Sequence, residues 1–97
     1  MLVLARKKYE EIHIENGEEK TILKSLGSKG KALDVALVHN NKLTTKKLSI
    51  NDEFFVSLNQ DKVKIVCLYI GKNQSKIGLS SENPNTTFIR GELKLVG

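Results

Sequence analysis

The residues whose types could do chemistry are cationic and lie near both ends of the chain, Arg6-Lys7-Lys8 close to the start and Arg90 close to the finish. A guanidinium can fork onto a guanine edge or a phosphate and can stack on an exposed base, so arginines beside apolar residues suit single-stranded RNA. The lysines at 7, 8, 46, 47 and 94 are expected to supply a diffuse positive field rather than specific contacts. Against this stands the plain alternative that an arginine at a strand end is simply solvated.

The other reactive side chains form no catalytic set. Cys67 falls within Val63-Lys64-Ile65-Val66-Cys67-Leu68-Tyr69-Ile70, apolar on nearly both faces, where a thiol behaves as a small hydrophobe. His13 and His39 stand at no ligand spacing from it, so no metal site is expected. Gly27-Ser28-Lys29-Gly30-Lys31 lacks the spacing of a phosphate loop, and a hairpin turn is expected there. Glu10-Glu11 and Glu18-Glu19 are adjacent pairs that point to opposite faces of a strand, a poor arrangement for acid and base acting on one bond. Neither catalysis nor a cofactor is expected.

A chain of 97 residues is one small domain with a single core, spanning 1–97. With three phenylalanines, two tyrosines, no tryptophan and one proline, that core must be built from Ile, Leu and Val, a composition that favours sheet. The net charge of +5 suits a polyanionic partner. One cysteine excludes an internal disulfide, and neither a leader nor an 18-residue apolar run is evident, so the expected setting is a reducing cytoplasm without membrane.

The elements that position these residues read as strands. The fold is expected to start at Met1, with Leu2-Val3-Leu4-Ala5 extended before the basic run. Asn16-Gly17 predicts a hairpin into a strand over Lys20–Leu26, Gly27–Gly30 the next turn, and Leu33, Val35 and Leu37 one face of a third strand. Leu43–Ile50, Glu53–Leu58, Val63–Ile70, Lys76–Leu79 and Thr86–Arg90 are further extended pieces, and no segment has the length and period of an amphipathic helix.

The second half echoes the first. An offset of 42 lays Leu26 on Leu68, Val35 on Ile77, Leu37 on Leu79, Thr44 on Thr86 and Thr45 on Thr87, while an offset of 44 lays Leu48 over Leu4. Degenerate tandem copies over about 1–50 and 51–97 would explain this. Chance likeness between alternating strands is the other explanation.

The opening Met-Leu-x-Leu-x-Arg-Lys, with Glu10 and Ile12-x-Ile14, resembles the CsrA/RsmA carbon-storage regulators. Val63–Leu79 is similar to that family's central hairpin, and Asn83-Pro84 leading into Thr86-Thr87-Phe88-Ile89-Arg90-Gly91-Glu92-Leu93 to its last strand. Tyr9 departs from the family's glycine and Ile89 from a common histidine. The resemblance implies an all-β fold of intertwined antiparallel sheets, here as a single-chain pseudo-dimer with little or no C-terminal helix, the alternative being a homodimer with an inserted segment. It further implies an RNA site made of Leu4, Arg6 and Lys7 with Phe88, Ile89, Arg90 and Leu93, and a second, inactive site in which Lys47 stands in for the final arginine and Ile50-Asn51 for Arg6-Lys7. The implied function is cytoplasmic translational repression in bacteria, through messenger or small regulatory RNAs carrying GGA-type loops. The alternative is a protein-interaction module that antagonises or partners another regulator of the same family.

Overall fold

The computed structural model describes residues 1–94, with Lys94 described by its backbone alone. The described chain is all-β. Its strands are β1 (Leu2–Arg6), β2 (Glu11–Asn16), β3 (Glu19–Lys29), β4 (Ala32–His39), β5 (Lys42–Leu48), β6 (Glu53–Leu58), β7 (Asp61–Ile70), β8 (Ser75–Ser80) and β9 (Thr87–Arg90), and one helical turn, α1 (Gly91–Lys94), follows.

Turn chemistry sets the hairpins. Gly17 has φ +61°, Asn40 and Asn41 have φ +52° and +61°, and Asn59 and Gln60 have φ +49° and +68°. Positive φ at these tight turns matches the right-handed twist of the strands they join, and Gly and Asn adopt it at least cost. One expectation is corrected. The chain does not turn over Gly27–Gly30, because β3 runs on to Lys29 and Gly27 (φ +90°) instead accommodates a bulge between Ser25 and Gly27.

All strand pairs are antiparallel, in two sheets ordered β1-β8-β7-β6 and β5-β4-β3-β2-β9. The alternating apolar residues of each strand turn inward to one shared cluster. Leu4, Leu58, Val63, Ile65, Cys67, Ile77 and Leu79 come from the first sheet, and Ile12, Ile14, Leu23, Leu33, Val35, Leu37 and Leu48 from the second. At about 25 cal/mol per Å² of apolar surface removed from water, this shared interior is the main force holding the sheets face to face.

The pairing repeats at one constant offset. Leu4 pairs with Ile77 and Lys46 with Val35, each residue lying 42 positions from its counterpart (46 − 4 and 77 − 35). The same shift carries Ile12↔Leu23 onto Phe54↔Ile65, Leu23↔Leu37 onto Ile65↔Leu79, and the Ser25/Gly27 bulge onto the irregularity between Cys67 and Tyr69. Even the crossovers match. Tyr9 and Asn51 both have φ +73°; Tyr9 N donates to Ser25 O at 2.6 Å and Asn51 N to Cys67 O at 2.7 Å. Lys7 N donates to the Glu10 carboxylate at 2.7 Å, as Ser49 N does to the Asp52 carboxylate at 2.8 Å.

The two units therefore interleave, β1 closing onto β8 of the second unit and β5 onto β4 of the first. This revises the proposed division at residue 50. β5 is the counterpart of β1, so Thr44–Lys47 does not correspond to the last strand, and the place of Arg6 is taken by Leu48, not by Ile50. Among the described residues only the second unit carries a last strand. It is β9, which crosses to pair with β2, Arg90 opposite Ile12 and Phe88 opposite Ile14.

Candidate nucleic-acid interface

The basic run and the end of the chain meet at one corner, and Arg6 makes the junction. Its inward position in β1 would bury a charge at a cost of several kcal/mol if left unpaired. Instead Nη1 and Nη2 donate to the two carboxylate oxygens of Glu92 at 2.8 and 3.1 Å, Nη1 also to Glu11 O at 3.1 Å, and Nε to Ala5 O at 2.7 Å. The Glu10 carboxylate lies 3.9 Å from Nε. The Arg6 hydrogen bonds, helped by the Glu92 backbone amide and the charges of Arg6 and Arg90, bring the Glu92 carboxyl from 4.5 down to about 2.

Gly91 lets Glu92 reach that position. A Cβ at residue 91 would come within 2.7 Å of the Glu11 Cβ, so a side chain there would lift α1 from β2. The approach to β9 is fixed by a buried polar cluster. The Asp61 carboxylate accepts from the Thr86 hydroxyl at 2.7 Å and from the Ser81 hydroxyl, and Asn16 Nδ2 donates to Thr86 Oγ1 at 2.9 Å.

The seven residues expected to form a site fall into three groups. Leu4 is buried in the core cluster and presents no platform, because its place in β1 faces inward. Arg6 is buried with its fork spent on Glu92, so it holds the corner together instead of reaching outward. Lys7, Arg90 and Leu93 are exposed, and Phe88 and Ile89 are half-buried, Phe88 against the core. The Lys94 side chain lies outside the described residues.

Beside this corner opens a cleft of about 230 Å³ that sequence reasoning missed, lined by Arg6, Lys8, Gly27, Lys29, Asp34 and Lys72 among others. The Lys8 stem passes over Gly27, where an added Cβ would meet its Cδ at 3.1 Å, and Lys8 Nζ sits 5.0 Å from the Tyr9 ring centre. Four cations face one carboxylate. The related cleft of the other unit is lined by Gly30, Lys31, Ser49, Ile50 and Ile70, with Ile50 and Ile70 where the first has Lys8 and Ser28. The first cleft carries four cations; the second carries one lysine and two isoleucines.

Burial pushes the Cys67 thiol above its usual range, which suppresses thiolate formation. His13 Nε2 lies 3.0 Å from Glu11 Oε1 and His39 Nδ1 2.5 Å from Thr21 Oγ1. Among the described residues no three His, Cys, Asp or Glu side chains converge as metal ligands, and no helix is long and apolar enough to cross a membrane. No family model, curated protein or solved structure matches the chain.

Proposed function

We propose that the chain is an RNA-binding post-transcriptional regulator that takes single-stranded GGA-type loops of messenger RNA leaders and blocks the ribosome, as its resemblance to the CsrA/RsmA regulators implies. The observation that carries this reading is that exposed Lys7, Arg90 and Leu93, far apart along the chain, adjoin the paired Arg6 and Glu92, and that Arg6 also lines a cationic cleft. Bases splayed from a loop stack on apolar side chains and are read on their edges, the usual mode of sequence-specific RNA recognition. Leu93 and the exposed part of Phe88 supply the apolar surface, Arg90 a free fork for a guanine edge, and Lys7, Lys8, Lys29 and Lys72 the phosphate field. Arg6 acts through position. No bond is made or broken.

Fluorescence anisotropy with a labelled hairpin presenting GGA, against one with altered guanines, tests the reading. The GGA loop should bind more tightly, and Arg90→Ala should cost about 1 to 3 kcal/mol and narrow that difference. Lys47→Ala, which faces the other corner, should weaken both RNAs equally and reduce the salt slope by at most about 0.7. Equal binding of the two hairpins would overturn the sequence preference, and no binding the RNA partner itself.

A further inference from the structure

We propose that the outer edge of β6 accepts an extended segment of a partner protein, one that carries a large apolar residue opposite Val56 and acidic flanks. The constant offset supplies the template. β9 lies along β2 with Phe88 opposite Ile14 and Arg90 opposite Ile12. Shifted by 42, the same track runs along Val56 and Phe54, yet β6 is the last strand of its sheet among the described residues. The backbone groups of that edge are left without a ladder, the feature that strand-addition partners use.

The side chains show the same vacancy. Under β9, Ile12 and Ile14 are 1% and 0% exposed, whereas their counterparts Phe54 and Val56 are only half-buried, and Phe55 is 52% exposed. Lys46 Nζ lies 5.1 Å from the Phe54 ring centre, and Lys62 Nζ lies 5.6 Å from that of Phe55. A cation over an exposed ring keeps its charge in water while covering part of the ring, and it is readily displaced.

The chemistry of the flank selects the occupant. Lys46, Lys47, Lys62 and Lys64 border the edge; of the nearby carboxylates Glu53 already lies 3.6 Å from Lys64 and buried Asp61 accepts from Thr86 and Ser81, which leaves Glu82 beside Phe55. A second copy pairing β6 to β6 would set this lysine-rich flank against itself, whereas an acidic segment would be drawn to it. In place of the Arg6–Glu92 clamp this corner has Leu48, so the segment should continue with an apolar residue past the strand.

The probe is a blocked peptide of the sequence of residues 85–92 carrying Arg90→Glu and Glu92→Leu, titrated into the ¹⁵N-labelled full chain. The chain's own β9 is tethered beside β2 at high effective concentration, so the peptide should not displace it. Shifts should concentrate on 53–58 and on Lys46. Phe88→Ser in the peptide should weaken binding by about tenfold or more, the loss expected when a large apolar side chain is no longer buried. Val56→Lys in the protein should do the same while leaving the spectrum outside β6 in place; the peptide variant keeps the test independent of that protein's folding. Absence of saturable shifts, shifts centred on 11–16, or a doubling of mass through β6 without peptide would each overturn the proposal.

Discussion

Arg6 shows how a residue of the expected type can serve a different end. Its inward place in β1 forces it to find a counter-charge, and Glu92 provides both oxygens. Because the Glu92 carboxyl titrates near 2 in the folded chain and near 4.5 ordinarily, the clamp contributes stability that is fully present above about pH 4.5 and lost as pH falls toward 2. Denaturant melts from pH 6 to pH 2 should show this acid loss, and Glu92→Gln, neutral at every pH, should lower stability at pH 7 and flatten the acid limb. An identical acid limb in the variant would contradict the assignment. The clamp was not legible in the sequence, since its partners are far apart along the chain and nothing local marks them. Arg90 and Lys7, expected at the site from the resemblance, are exposed, as a cation at a strand end can be without a partner.

At the scale of elements, strand positions followed from alternation and from Asn and Gly near the turns, although the first hairpin turns at Gly17-Glu18, one residue past Asn16-Gly17, because Asn16 still pairs with Glu19 in β2. The bulge at Gly27 did not, because a glycine suits a bulge as well as a turn. The repeat was visible at Leu26/Leu68, Val35/Ile77 and Leu37/Leu79, but the shared Thr-Thr of 44–45 and 86–87 suggested the wrong counterpart for β5. Register alone decides that β5 matches β1. The crossovers yield a prediction. Tyr9 holds φ +73° where Asn51 holds the same angle in the other unit. A left-handed backbone costs a residue with a bulky side chain on the order of 1–2 kcal/mol, so Tyr9→Gly should raise stability by roughly 1 kcal/mol in urea melts, with little change in slope. A loss of stability would mean that the Tyr9 ring, under Lys8, contributes more than the strained angle costs.

At the scale of the whole molecule, two interleaved units share one interior and one of them lacks a last strand, so one chain completes the arrangement on its own at the Arg6 corner and leaves it open at β6. The expected mass in solution is that of one chain, 10.8 kDa. Light scattering that returned twice this value at micromolar concentration would favour a paired assembly. The inequality of the two corners is also the functional expectation, since Arg6, Lys8, Lys29 and Lys72 line the cleft where the two ends of the described chain meet, while Ile50 and Ile70 line its counterpart beside Leu48. Mapping a GGA hairpin by amide shift changes on the labelled chain addresses this most directly. The largest changes should fall on 7–9, 27–29 and 88–93; changes confined to 42–58, or none at saturating RNA, would contradict it.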